Sequence, residues 1–321
     1  MKYERLTLER DVKPEIHVNA WHVDDSSDIK GSVVIVHGMA EYSLRYKELA
    51  QYLTDNGYEV LATDHLGHGM EVSEEKNPEF DYGHWPKNGF DRSIERADLV
   101  AKYAKSVHPD KPVFLFGHSL GSFLATGIYE RHPEDFSGVI ICGSAYNNIL
   151  YRSSTLISDI MNCFRSEKKK HEVSDFLNNS NMKTMNKRFN GFEDGYKTHN
   201  GWLSYDEDNV KTYDADKECG FPCDFLFYYS MFHGQQKVWK KSSLKKMKTK
   251  LPVFIIGGQD DPVSNYGKDI PNLYNFLKAD QRGQKIEMKL YPHAKHEILN
   301  ESGVKEEVKK DILDFYNSCL K

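Results

Sequence analysis

The chain has 321 residues, of which 39% are hydrophobic and 28% are charged. That length can bury one large core and an insertion, and the composition is that of a globular protein, which excludes an extended disordered chain. The formal net charge of −5 argues against a nucleic-acid partner, because nucleic-acid-binding proteins usually carry a basic domain.

The sequence has the features of a cytoplasmic protein. Residues 1–10 alternate charged and apolar side chains, and no run approaches the ~18 apolar residues that a membrane-spanning helix needs. The five cysteines are odd in number and include no C-x-x-C pair, which argues against a disulfide framework or a zinc knuckle. We therefore expect the cysteines to be packing residues.

Short apolar runs alternate with helical patterns along most of the chain. Residues 3–23 predict an antiparallel hairpin at a sheet edge, interrupted by Pro14. Apolar residues recur at helical spacing between the later strands, for example over residues 47–53 and 94–104. Continuous apolar strands separated by helices predict a doubly wound, mostly parallel sheet of the α/β class. The predicted strands are residues 32–36, 59–63, 113–116, 139–142, 253–256 and 286–291.

This alternation stops between Tyr146 and Leu251, where about a hundred residues contain no comparable strand. A connection between a strand and a helix usually takes about 2–6 residues, so the segment is an insertion, most simply a partly mobile and largely helical cap. Within it, residues 153–164 have helical spacing, whereas the polar, glycine-containing residues 178–201 predict a loop. The chain then divides into a core part of residues 1–146, a cap of residues 147–250 and a second core part of residues 251–321.

Two parts of the predicted cap have two interpretations each. Residues 221–232 are dense in aromatic side chains, which either line an apolar pocket or pack the cap onto the core. Residues 240–250 are strongly basic and could make a weak contact with an anionic membrane surface. A solvated helix face is the favoured interpretation of that basic stretch, since charge runs are normally exposed.

The most informative motif is Gly117-His118-Ser119-Leu120-Gly121, which lies between the apolar residues 112–116 and a helix-like segment. A G-x-S-x-G at a turn from strand to helix lifts the serine hydroxyl above the sheet edge, and the flanking glycines let the backbone bend. Ser119 is therefore the candidate nucleophile.

A serine nucleophile needs a neighbouring base, and that base needs a carboxylate to orient it. Asp260 and Asp261 follow the predicted strand 253–256, and His293 and His296 follow the strand 286–291. Because ligands of such sheets bind at the carboxyl ends of the strands, we expect these side chains to gather near Ser119.

At these residues the chain resembles the α/β-hydrolase superfamily, and more narrowly its monoacylglycerol lipase and lysophospholipase branch, a serine-hydrolase group also linked to some aminopeptidases. The resemblance covers both ends of the chain and most of the predicted core strands. The matching segments are residues 37–46, 64–69, 117–121, 257–263 and 291–301.

The resemblance implies a catalytic set of Ser119, Asp260 and His296, with Asp260 preferred over Asp261 and His296 over His293. It also implies that the backbone N–H groups of Met39 and Leu120 bind the oxyanion, with no metal and no cofactor. The implied substrates are glycerol monoesters, lysophospholipids or other small carboxylic esters. A short-chain carboxylesterase or a peptidase of the same fold is the alternative.

Two other functional classes compete with this interpretation. A metal hydrolase could use His65, His68, His293 and His296, but no H-E-x-x-H spacing occurs. A binding protein could keep the hydrolase scaffold without turnover, because fold does not fix function. The presence of a candidate nucleophile, base and acid favours the enzyme.

Overall fold

The structure is a computed structural model that describes residues 2–8, 15–25, 28–73, 81–146, 149–189, 191–192, 195–247, 250–280 and 285–320. Within these residues eight strands form one sheet. In chain order they are β1 (Lys2–Leu8), β2 (Ile16–His22), β3 (Gly31–Val36), β4 (Tyr58–Thr63), β5 (Val113–His118), β6 (Gly138–Cys142), β7 (Val253–Gly258) and β8 (Ile286–Tyr291).

The sheet is mostly parallel, as the alternation of strands and helices predicts. Its spatial order is β1-β2-β4-β3-β5-β6-β7-β8. Strands β1, β2 and β4 pair antiparallel, and every pair from β4 across to β8 is parallel. The edge hairpin of β1 and β2 is confirmed, while Pro14 lies outside the described residues.

Helices cover both faces of this sheet, so its central strands are buried along their whole length and mostly apolar rather than alternating. One apolar core includes Ile94 and Leu124, and the core on the opposite face includes Leu53 and Ile312. The described helices are α1 (Lys47–Asp55), α2 (Gly69–Ser73), α3 (Gly89–Val107), α4 (Leu120–Arg131), α5 (Ile149–Phe164), α6 (Glu167–Lys170), α7 (Asp175–Met185), α8 (Glu207–Ala215), α9 (Phe225–Val238), α10 (Lys241–Lys246), α11 (Asp269–Asp280) and α12 (Lys305–Ser318).

The insertion between β6 and β7 is largely helical, as predicted, and contains α5 to α10. The predicted loop over residues 178–201 is wrong in its first part, because α7 continues to Met185. Few apolar residues mark this helix. It is held instead by the Asn178 side chain, which donates to the carbonyl oxygen of Cys223 and accepts from the Cys223 N–H.

The cysteines follow the packing prediction with one exception. Cys142, Cys219 and Cys223 are buried, Cys319 is partly buried, and Cys163 is exposed. None of the described helices is both long enough and apolar enough to cross a membrane.

Candidate active site

Ser119 occupies a strained turn between β5 and α4, with φ 54° and ψ −121°. Positive φ is uncommon for residues other than glycine, and here the surrounding glycines make the turn fit. A Cβ at Gly121 would collide with the carbonyl oxygen of Val36, and a Cβ at Gly117 would collide with the carbonyl oxygen of Gly121. The turn is the geometry that the G-x-S-x-G motif predicts.

His296 lies in the loop after β8, at the same edge of the sheet as Ser119. Its Nδ1 atom is 3.0 Å from Oδ1 of Asp261. Its Nε2 atom is buried and has no hydrogen-bond partner among the described residues. Ser119 and His296 line the same cavity, with no hydrogen bond between that Nε2 and the Ser119 hydroxyl. The role of His296 as the base for Ser119 stays a prediction.

The carboxylate paired with His296 is that of Asp261, and the prediction of Asp260 for this role is wrong. Asp261 is fully buried, and its Oδ1 also accepts the Val263 N–H at 2.8 Å. Asp260 instead accepts a hydrogen bond from the Tyr205 hydroxyl at 3.1 Å.

The physical reason is the tight turn that follows β7, which sends two consecutive carboxylates in different directions. The family pattern of a glycine, two variable residues and an aspartate fits twice in this sequence. It reaches Asp260 when counted from Gly257 and Asp261 when counted from Gly258. Only the burial and the contacts of the two carboxylates decide between them.

The loop after β3 passes directly beside the nucleophile. A Cβ at Gly38 would lie 3.1 Å from the Cβ of Ser119. The Gly38 N–H donates to Oε1 of Glu41 at 2.6 Å, and the Ala40 N–H donates to Nε2 of His68 at 3.1 Å. These bonds fix the backbone on both sides of Met39, which lines the cavity together with Leu120. The role of these two N–H groups in binding an oxyanion stays a prediction.

A buried polar network, which could not be predicted from the sequence, contacts the backbone of His296. His118 bonds through Nδ1 to the Tyr46 hydroxyl at 2.8 Å and through Nε2 to the His296 carbonyl at 3.2 Å. The Tyr46 hydroxyl in turn donates to Glu41. Burial opposes protonation of His118, but the Glu41 carboxylate outweighs burial and raises the pKa of His118. A protonated His118 can donate from both nitrogens, as these contacts require.

Arg45 extends this network to the cap. Its guanidinium contacts both oxygens of Glu297 at 2.5 and 2.9 Å and Oε2 of Glu41 at 2.7 Å. Asn209 of α8 donates to Glu297 at 2.8 Å. Burial opposes ionisation of Glu297, but Arg45 outweighs burial and holds its pKa below the usual value. The residue after His296 is therefore an ionised carboxylate that joins the core to α8.

The remaining histidines near the site have structural contacts. His65 contacts the carbonyl oxygen of His37 through Nε2 at 2.9 Å, and His68 contacts the carbonyl oxygen of Leu66 through Nδ1 at 2.9 Å. Burial lowers the pKa of His68 to about 3. His293 is exposed, as the preference for His296 implied. This arrangement does not favour the metal-hydrolase interpretation.

Among the described residues, the potential metal ligands that lie together are Asp98, His132 and Asp135. This group does not line the cavity of Ser119. Lys102 already supplies a cation there, 2.7 Å from Oδ2 of Asp98.

The cavity above Ser119 has a volume of about 500 Å³ and is lined by core and cap residues together. Residues 221–232 serve both of the roles considered for them. Phe225 and Phe227 are fully buried in the core, whereas Met231 and Phe232 line the cavity.

A sheet with this strand order, a serine on a strained turn after β5 and a histidine paired to a buried aspartate define the chain as an α/β-hydrolase. The model of one family, described as serine aminopeptidase S33, matches residues 27–303. The chain belongs to this family.

Relatives in sequence confirm the predicted branch. A monoglyceride lipase homolog of Monkeypox virus is 26% identical over 285 residues, which are 88% of this chain and 87% of that protein. The monoglyceride lipase of Saccharomyces cerevisiae is 24% identical over 286 residues, which are 87% of this chain and 82% of that protein. Among solved structures, a carboxyl esterase from Bacillus coagulans in complex with glycerol aligns over 100% of both chains, with a TM-score of 0.88 and 26% identity.

Proposed function

We propose that this protein is a serine hydrolase that cleaves lipid esters, with glycerol monoesters and lysophospholipids as its substrate class. One observation carries the proposal. His296 is oriented by the buried Asp261 and lines the same cavity as Ser119, whose strained turn presents the hydroxyl at the sheet edge.

In the proposed mechanism, Ser119 Oγ attacks the ester carbonyl while Nε2 of His296 takes the hydroxyl proton. Asp261 holds the imidazole tautomer and stabilises the imidazolium. The N–H groups of Met39 and Leu120 bind the tetrahedral oxyanion. His296 then gives its proton to the leaving alcohol, and a water molecule cleaves the acyl-enzyme by the reverse roles.

The apolar walls of the cavity support a lipid acyl chain as the acid component of the ester. In this proposal residues 147–250 act as a cap over a core formed by residues 1–146 and 251–321. The cap contributes apolar side chains to the cavity, namely Leu150, Ile157, Leu177, Met185, Met231 and Phe232. Two of them, Leu150 and Ile157, are also solvent-exposed, so the apolar surface continues from the cavity to the outside of the protein.

The outer face of α5 supports a weak contact with a lipid surface that would deliver such a substrate. Leu156, Ile160 and Phe164 recur at every fourth residue and are 62%, 53% and 86% exposed. Exposed apolar patches of this kind mark interaction sites. The basic residues 240–250 are a weaker candidate for this contact, because the two apolar side chains that the structure describes there, Leu244 and Met247, are buried.

The test is a turnover profile of the purified protein with Ser119→Ala as the control. The panel holds p-nitrophenyl esters of increasing acyl length, a monoacylglycerol, lysophosphatidylcholine and an aminoacyl anilide. We expect turnover to rise with acyl length and to disappear in Ser119→Ala. A sharp preference for short acyl chains would overturn the lipid substrate and leave the esterase mechanism standing.

A short-chain carboxylesterase is the second candidate, and one comparison favours it. The Bacillus coagulans carboxyl esterase aligns with this chain from end to end. The acyl-length profile separates the two candidates. Cleavage of the anilide alone would favour a peptidase, and a folded protein without turnover of any ester would favour a binding protein.

A further inference from the structure

The side chain of Lys295, the residue before His296, is buried and points into the cap. Its Nζ atom donates to the carbonyl oxygens of Gly201 at 2.6 Å and Ser204 at 3.0 Å. The same ammonium lies 4.4 Å from the ring centre of Phe189 and 4.1 Å from that of Tyr205. A lysine amine surrounded by aromatic faces and carbonyl oxygens is bound as a cation.

The cap segment of residues 201–205 is also held by the residues that follow His296. The Glu297 N–H donates to the Leu203 carbonyl at 2.8 Å. The Glu301 carboxylate accepts from the Ser204 hydroxyl at 2.9 Å and from the Tyr205 N–H at 3.0 Å. Residues 292–301, which follow β8 and contain His296, form the histidine loop. This loop therefore binds the cap segment 201–205 through residues on both sides of His296.

The cap segment 201–205 places Trp202 against His296. The two ring centres are 5.0 Å apart, and the ring of His118 lies 4.7 Å from the imidazole. Asp261 bonds to the same imidazole at Nδ1. The imidazole is thus fixed by one hydrogen bond and by two neighbouring rings, one of which belongs to the cap.

We propose that Lys295 is a positioning residue of the active site, which holds the cap segment 201–205 on the histidine loop and so keeps Trp202 packed against the imidazole of His296. The effect on turnover rests on the proposed function, whereas the effect on the imidazole does not. The ammonium holds this part of the cap on the core together with the bonds from Glu297 and Glu301.

The charge of Lys295 is part of its role. Burial lowers the pKa of Lys295 to about 8, against the opposing effect of the Glu301 and Asp260 carboxylates. The side chain therefore remains an ammonium at neutral pH. A methionine at this position would keep the length of the side chain but remove the donors, leaving two carbonyl oxygens without their bonds and the rings without a cation.

The first experiment compares steady-state kinetics of Lys295→Met, Lys295→Arg and Lys289→Met on a soluble p-nitrophenyl ester. Lys289 is the control, because it lies on β8 close to the same loop but pairs on the surface with Glu307 and Asp311. Misplacement of a catalytic group costs up to about a hundredfold in rate, so we expect kcat of Lys295→Met to fall at least about tenfold with KM little changed. Lys295→Arg keeps the cation and recovers part of the loss, and Lys289→Met behaves as the wild type.

The second experiment needs no turnover. The proton on Nδ1 of His296, held between imidazole and carboxylate, is expected to give a low-field proton NMR signal, identified by its loss in His296→Gln. We expect this signal to be sharp in the wild type and in Lys289→Met, and shifted or broadened by exchange in Lys295→Met. If Lys295→Met does not fold, Phe189→Leu removes one ring of the cation site and must produce the same changes to a smaller extent.

The outcomes separate the two proposals. A folded Lys295→Met with wild-type kcat and an unchanged signal would overturn the role of Lys295. A wild type without esterase activity whose His296 signal still changes in Lys295→Met would overturn the proposed function and leave the positioning role intact.

Discussion

At the scale of single residues, burial decides which of two adjacent carboxylates belongs to the site. Asp260 and Asp261 are chemically identical neighbours, and the sequence pattern accommodates either. Asp261 is fully buried beside His296, while Asp260 contacts Tyr205 of the cap. A buried carboxylate next to an imidazole can hold its tautomer and stabilise its charge, which a carboxylate paired elsewhere cannot do.

Asp261→Asn should therefore lower kcat far more than Asp260→Asn. An amide in place of the carboxylate favours the wrong imidazole tautomer, and the expected loss in kcat is on the order of 10⁴-fold. Asp260→Asn removes a contact with Tyr205 and one of the two carboxylates that favour the charged form of Lys295, and should stay within about tenfold of the wild type. Measurement of kcat for both variants on one ester decides the matter, and equal losses would contradict the assignment.

Glu41 should matter for stability as well as for the site. It is buried and accepts hydrogen bonds from Gly38, Arg45 and Tyr46. Breaking a buried charge pair costs about 3–5 kcal/mol, so Glu41→Gln should lower the free energy of unfolding by several kcal/mol in a urea titration. Glu48→Gln is the control, because the side chain of Glu48 is 55% exposed and its partner Lys309 keeps a second carboxylate in Glu306, so the loss should be less than about 1 kcal/mol. Similar losses in both variants would count against the network.

At the scale of elements, continuous apolar runs predict strands well. They do not predict a helix whose position depends on polar contacts. Each of the six core strands predicted from the sequence lies within β3 to β8 to within two residues at either end. Their apolar runs are long enough to be recognised without knowledge of the partners. Helix α7 was missed because its position depends on the Asn178 side chain and a backbone segment 45 residues further along the chain, which no local pattern records.

The prediction of the site is incomplete for the same reason, because local sequence patterns do not show contacts between distant residues. Ser119 and His296 follow recognisable strands and a motif, so their positions could be predicted. The contacts of Glu41, His118 and Lys295 join loops that are far apart in sequence, and their buried charges depend on partners that only the folded chain supplies. Composition and spacing contain no record of those pairings.

The sheet edge offers a test of stability against pH. His22 of β2 contacts Glu59 of β4 at 2.8 Å and Glu4 of β1 at 2.9 Å. The hydrogen bond to Glu59 raises the pKa of His22 above its ordinary value of 6.5, although partial burial opposes the shift. A raised pKa in the folded state gives stability that is full below pH 6.5 and is lost as the pH rises through the folded pKa.

His22→Gln should accordingly destabilise the protein more at pH 5.5 than at pH 8.5, by less than about 1 kcal/mol because the pair is partly solvent-exposed. Urea unfolding of the wild type and the variant at both pH values measures this difference. An equal effect at the two pH values would show that the ion pair does not stabilise the edge.

At the scale of the whole molecule, the cap adds walls to the sheet edge and forms a largely apolar cavity that is open to solvent. Ser119, Asp261 and His296 follow the carboxyl ends of β5, β7 and β8, and residues of α5, α7 and α9 line the cavity at that edge. The outer side of α5 is apolar as well. The molecule thus has an apolar surface on both sides of the same cap helix.

Replacing the outer apolar residues of α5 should weaken the contact with lipid vesicles without changing the hydrolysis of a soluble ester. In Leu156→Ser/Ile160→Ser/Phe164→Ser the cavity lining is untouched, so turnover of soluble p-nitrophenyl acetate should not change. Burial of one such side chain contributes about 1.5–3 kcal/mol, so turnover of monoacylglycerol in phosphatidylcholine vesicles and co-sedimentation with them should fall at least about tenfold. Val107→Ser on α3 is the control at an exposed apolar site away from the cap. Equal activity of the triple variant on both substrates would contradict the lipid contact.

The central claim is that Ser119 is the nucleophile and is activated by His296. The most direct measurement is the reaction of the folded protein with a fluorophosphonate probe, followed by mass spectrometry of the modified peptide. We predict one adduct, on Ser119, whose formation slows strongly in His296→Gln and whose accumulation matches the loss of ester hydrolysis. An adduct on another residue, or ester hydrolysis that persists in folded Ser119→Ala, would contradict the account.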